Sequence, residues 1–301
     1  MLVDFIPYPP ETLIRALTML SLGGLLLAVG VRLDPRSVAL ALRQSQLALI
    51  LPVNFILVPA LVYAVIWGFA LPPELAAGML LLAAAPFAPV VPVFVKMAGG
   101  DLALAAGLTA IFPLFAAFLT PLVFEASLPG ISYTGYAGVL RFFPLQSLAV
   151  LSVTVTLPLL VGMALRQVLP GLARRILGPL EGLAEATGAV SLAFVTFVEF
   201  DSILATGWKS LLAMTLAGEL SFLLGLLSGG PLPASRQVIA FGTANRNIAL
   251  ALLIAVDSFA GTEVVAAVVA NGLLLIFLGL LHVAIYRLAG WRRAYRPHPL
   301  V

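Results

Sequence analysis

The chain holds no cysteine, two histidines and four asparagines among 301 residues, and only 10% of its residues are charged. The missing cysteine excludes disulfides, thiolate metal sites and cysteine nucleophiles. An intramembrane enzyme would need a nucleophile with its base, or a metal set, and the only histidines are His282 and His298. No H-E-x-x-H, GxSxG or Walker sequence occurs, so no enzyme is expected. A net charge of +3, with the basic residues spread over short segments, argues against a nucleic-acid partner.

What the chain has instead is hydrocarbon. It is 62% hydrophobic, with a mean hydropathy of +1.14, which marks an all-α polytopic membrane protein whose surroundings are the lipid bilayer. The first thirty residues lack a basic leader and an A-x-A site, so the first apolar run is expected to be a retained helix. Runs of about 20 apolar residues span a bilayer. Nine fit, near 12–30, 41–67, 73–95, 101–126, 146–168, 176–200, 206–228, 235–255 and 261–288, within one transmembrane domain covering 1–301.

Basic residues orient the spans. With the C-terminus cytoplasmic, that side holds Arg32, Arg36, Arg43, Lys96, Arg166, Arg174, Arg175, Arg236, Arg287, Arg292, Arg293 and Arg296. The outer side holds Arg15, Arg141 and Lys209, and an odd helix count puts the N-terminus outside. The other fifteen basic residues fall at span ends or in loops, and Arg246 is the one left over in the middle of a span. At about 1.5 Å per residue it lies roughly 15 Å deep, near the middle of the hydrocarbon, and Glu219 reaches a similar depth. A charge there needs a partner or a watery cavity. Arg246 therefore has three readings: a pair with Glu219, a cap on carbonyls at a helix break, or a substrate contact.

All four asparagines, Asn54, Asn245, Asn247 and Asn271, fall within spans instead of turns, as a polar site or interhelical glue requires. The third span carries Pro86, Pro89 and Pro92, and the eighth carries Gly242, Thr243 and the Asn-Arg-Asn triplet, so both are expected to be interrupted. Freed backbone at that depth must face protein or a cavity. The two breaks lie five spans apart. A shift of about 155 residues maps 12–126 onto 146–288 upside down, the inverted repeat of many secondary transporters. A channel or receptor on the same fold is the alternative.

Four stretches also resemble the bile acid:sodium symporter family. AVGVRLDP from Ala28 resembles its FsMGLtLt segment, and NFILVPAL from Asn54 its QFllMPll. AGGDLALAAGLTA from Ala98 is similar to A-x-G-D-x-A-L-S-V-S-L-T-A, and GTANRNIALAL from Gly242 to G-M-Q-N-S-G-L-A, in the family order. The resemblance implies a core domain with two crossing broken helices and a panel domain moving against it. It implies a small organic anion as substrate, bile-acid-like or a smaller carboxylate or sulfonate, crossing a plasma or bacterial inner membrane. Positions that supply sodium ligands in the family hold Val91, Pro92, Ala105, Ala240 and Ala244 here, and only Thr109 and Asn54 keep suitable oxygens. Hard cations need several oxygens, so sodium coupling of the usual kind is not expected, nor is any cofactor or metal. Arg246 and Lys96 are the cations that could stand in. The site expected on these grounds comprises Asn54, Pro89, Pro92, Lys96, Thr109, Glu219, Thr243, Asn245, Arg246, Asn247 and Asn271.

Overall fold

A segment surrounded by lipid must satisfy its backbone within itself, and helices do this. The computed structural model describes residues 9–32, 47–128 and 144–294, and these are helical almost throughout. Arg36, Arg43, Arg141, Arg296 and His298, together with the Leu33–Pro35 end of the first motif, lie outside the described residues.

Helix α1 is Pro10–Arg32 and α2 is Leu47–Phe69, with a π turn at Val53–Leu57 just before Pro59. Then come α3, Pro73–Ala83, and α4, Val91–Met97, followed by α5, Leu102–Ser127, capped by Asp101. Helix α6 runs from Pro144–Leu151 through a second π turn into Leu157–Val168. It is followed by α7, Pro170–Val198, and by α8, Phe200–Ala205, a short piece leading to α9, Gly207–Ser228. Helices α10, Pro233–Ala244, and α11, Ile248–Ser258, precede α12, Glu263–Ala294. Among the described residues eight helical stretches are long and apolar enough to cross a membrane, counting Pro233–Ser258 as one. Large apolar side chains such as Trp67, Leu183, Trp208 and Phe277 stand on the outer surface, where lipid is their solvent. The protein is an integral membrane protein.

The expected third span is thus two short helices, and the cause is local. Pro86 has no N–H to donate and drives the residue before it out of the helical region. Phe87 then adopts a φ of 58°, rare for a side chain of that size. Pro92 does not break anything: it lies in the first turn of α4, where a helix tolerates proline, so the break belongs to Pro86 and Pro89. The interruption between α10 and α11 contains no proline. Asn245 and Asn247 leave the helical region there, with ψ of 106° and 89°. The side chain of Asn247 accepts the N–H of Leu250 at 3.1 Å and starts the helix again.

The two interruptions meet. Phe87 N–H donates to Gly242 O at 3.3 Å, Ala88 N–H to Asn245 O at 3.0 Å, and Asn247 N–H to Ala85 O at 2.8 Å. Close approach is possible because residue 242 is glycine: a Cβ there would run into the Phe87 ring, itself stacked on Phe112 with centroids 4.0 Å apart. Around this crossing, α3 packs along α12, and α9 packs on α10 and α2. Helix α1 packs on α7 and on the second half of α6, and also touches α11.

Gly242→Ala is expected to lower stability by at least about 1–3 kcal/mol, the usual cost of overpacking. Gly68→Ala in α2, with open space around its position, is expected to leave stability unchanged or slightly raised. Thermal unfolding of the detergent-solubilised protein separates the two.

Candidate functional site

The crossing concentrates the polar residues of an otherwise apolar interior. Asn54 is fully buried at the π turn of α2; its Nδ2 donates to Ile50 O at 3.0 Å and to Thr243 Oγ1 at 3.3 Å. Thr120 on α5 donates to Ala84 O at 2.7 Å, holding the end of α3. Asn245 Nδ2 donates to Phe241 O at 2.9 Å. The Thr120 bond satisfies a carbonyl that a continuous helix would have used itself, whereas Phe241 O already accepts the Asn245 N–H and takes the side-chain amide as a second donor.

Arg246 is 3% exposed, and its Nη1 donates to Ala83 O at 3.1 Å. Ala83 is the last residue of α3, and α10 ends at Ala244, two residues before Arg246. Each helix C-terminus carries roughly half a negative charge. The guanidinium therefore sits where two helices end, a position that favours a cation without a carboxylate.

The pair with Glu219, one of the three readings of Arg246, is not formed. Glu219 Oε2 instead meets His282 Nε2 at 3.2 Å, with 42% of the Glu219 side chain exposed. The His282 ring stacks on Phe222, centroids 3.7 Å apart. Equal depth was the basis for pairing Glu219 with Arg246, but depth says nothing about the direction a side chain takes around a helix. Lys96 is also outside the site, exposed at the last turn of α4. There its long stem can follow apolar surface while the ammonium reaches the interface.

Two cavities flank the crossing. The first, about 260 Å3, is lined by Asn245, Arg246 and Asn247, by Ile248 and Ala249 at the start of α11, and by Ala88, Pro89 and Val90. Its opposite wall is α1 and α7, with the hydroxyls of Thr18, Ser21 and Ser191. Among the described residues no carboxylate lines it. The second, about 280 Å3, shares Leu25 and Pro89 with the first and extends past Pro92 and Thr109 to Arg32, Glu181 and Glu185. A small void of about 20 Å3 lies between Arg246 and Asn271. It has room for about one water.

The structure thus brings Asn54, Pro89, Thr243, Asn245, Arg246, Asn247 and Asn271 into one region, with Pro92 and Thr109 on the wall of the adjoining cavity. Several polar atoms there have no hydrogen-bond partner among the described residues: Arg246 Nη2, Asn54 Oδ1, Asn245 Oδ1, Asn271 Oδ1 and Thr109 Oγ1. Each such atom costs about 1–3 kcal/mol unless a ligand or water meets it. A carboxylate or sulfonate matches the guanidinium, and the N-terminal end of α11 adds a positive dipole. Four of these unpartnered atoms are side-chain oxygens, those of Asn54, Asn245, Asn271 and Thr109.

Thr18, Ser21 and Ser191 escaped the sequence reading, as did Thr120. The test that singled out the asparagines, a polar side chain inside an apolar span, would have found them among the serines and threonines. Glu199 follows the last residue of α7 as its C-cap. Phe197 and Phe200 are exposed on the surface and Phe194 packs inward.

Comparison with known proteins adds one positive result. A family model described as the SBF-like CPA transporter family matches residues 5–228, which covers α1 to α9 and stops before the second interruption. No curated protein matches the chain.

Asn247→Ala is expected to cost about 1 kcal/mol by removing the cap on α11, and Asn247→Ser to recover most of it. Chemical or thermal unfolding of the purified protein measures the difference.

Proposed function

The chain belongs to the SBF-like CPA transporter family, a group related to the bile acid:sodium symporters, and on that premise we propose that it carries an organic anion across the membrane by alternating access. The observation that supports the substrate class is the first cavity: Arg246, two buried amides and the start of α11 line an apolar chamber to which the described residues contribute no carboxylate. At about 260 Å3 the chamber is just below the ~300–1,000 Å3 typical of drug-sized ligands, which favours a small carboxylate or sulfonate over a bulky steroid.

In this reading α1, α6 and α7 form the panel and the remaining helices form the core. The interruptions of α3/α4 and α10/α11 are the paired broken helices of an inverted repeat, 12–126 against 146–288, with the N-terminus outside and the C-terminus cytoplasmic. Movement of the core against the panel exposes the chamber alternately to the two sides. Arg246 takes the place of a coupling cation. A tethered guanidinium at the ends of α3 and α10 holds the crossing together and keeps a positive charge at the site without bound sodium.

Thermal stability of the purified protein with a panel of organic anions, in sodium chloride and in choline chloride, tests both halves of the proposal. A ligand that binds only the folded protein raises its stability. The expected result is stabilisation by a small carboxylate or sulfonate, equal in both salts and lost in Arg246→Ala. Stabilisation confined to the sodium salt would overturn the tethered-cation role, and an Arg246→Ala protein that still responded would remove Arg246 from the substrate.

A further inference from the structure

Arg15 was expected only as an outer basic residue, yet it makes an ion pair across the molecule. Its Nη2 lies 2.7 Å from Oδ1 of Asp257 near the end of α11. The Asp257 side chain is 3% exposed and that of Arg15 43%, so the carboxylate is buried beneath its partner. The pair joins two different groups of helices. Helix α1 is tied to α7 by Thr18 Oγ1 to Ser191 Oγ at 3.0 Å and by Ser21 Oγ donating to Ala184 O at 3.2 Å. Helix α11 is tied by backbone to the crossing, through Asn247 N–H on Ala85 O.

Position along α1 assigns the pair a place on the path. Thr18 and Ser21 line the first cavity, Leu25 lines both cavities, and Ala28 and Arg32 line the second. Arg15 comes one turn before Thr18, beyond the first cavity. On α11 the same cavity is lined as far as Leu252, and Asp257 again lies past it. At the opposite end the corresponding ion pair joins Arg32 of α1 to Glu181 of α7, within one helix group, and so holds no two groups together.

We propose that Arg15 and Asp257 form the latch closing one end of the substrate path, leaving the chamber reachable from the Arg32 end. The proposal rests on the alternating-access reading. When the groups separate, the buried carboxylate gains water in place of its guanidinium, so the pair sets how much of the time that end is open without touching the substrate.

The absence of cysteine makes the test direct. Ala249→Cys places a single thiol in the first cavity, and its rate of reaction with a charged, membrane-impermeant maleimide is read in vesicles of each sidedness. The expected parent reacts faster from the Arg32 side. Arg15→Gln and Asp257→Asn, each added to Ala249→Cys, are expected to raise the rate from the Arg15 side about tenfold, the change that ~1.4 kcal/mol produces in an opening equilibrium. Arg15→Lys should keep the parent pattern, and the exchange Arg15→Asp with Asp257→Arg should restore it, which separates loss of the latch from loss of the fold. Neutral variants with the parent's rates from both sides, or an exchange no better than the single variants, would overturn the latch alone. A parent thiol equally reactive from both sides would overturn the latch and alternating access together.

Discussion

Backbone polar groups inside a bilayer have nowhere to go but the protein, and the rest of this structure depends on how two helices meet that constraint. Each is broken near its middle, and each break supplies hydrogen bonds to the other through Phe87, Ala88 and Asn247. Unpaired, either interruption would leave several donors and acceptors facing hydrocarbon. Paired, they make a small polar crossing whose geometry is fixed by Gly242 lying against the Phe87 ring. The hydroxyl of Thr120 bonds Ala84 O beside the crossing, and the buried amides of Asn54 and Asn245 add bonds to Ile50 O, Thr243 and Phe241 O.

Electrostatics follows from the same breaks. Ending α3 and α10 at one point gathers two negative helix ends, and Arg246 neutralises them. A guanidinium is well suited, since its planar array of donors can hold a carbonyl on one side and still offer N–H groups on another. The Glu219–His282 contact, backed by the ring of Phe222, is a separate polar island between α9 and α12. The site is therefore a positive spot in an apolar chamber, set between a wall of hydroxyl-bearing helices and the crossing.

Much of this was legible in the sequence, for reasons that differ by residue. Pro86, Pro89 and the Asn-Arg-Asn triplet pointed to the interruptions, but proline alone does not decide one, since α5 continues through Pro113 and Pro121 and α7 through Pro179. Asn54 and Arg246 stood out because polar groups at that depth need partners. The identity of the partners was not legible. Arg246 bonds a carbonyl, which every residue has and no pattern reveals, while Glu219 turns to His282. Pro92 looked like a breaker because spacing alone does not show where a helix restarts. The link between Arg15 and Asp257 spans most of the chain and depends on how α1 is laid against α11, a matter of packing and not of composition.

The reciprocal bonding of the crossing also bears on the order in which the chain is made. Ala85 O, Phe87 N–H and Ala88 N–H take their partners from residues 242–247, more than 150 positions later. During synthesis from the N-terminus, α3 and α4 are complete long before α10 and α11 exist. Until those arrive, the first interruption has to stay near water or in the insertion machinery, because lipid offers it nothing to bond. The first interruption is therefore completed by residues made much later, and a protein truncated before α10 would lack every backbone partner that residues 242–247 supply to it.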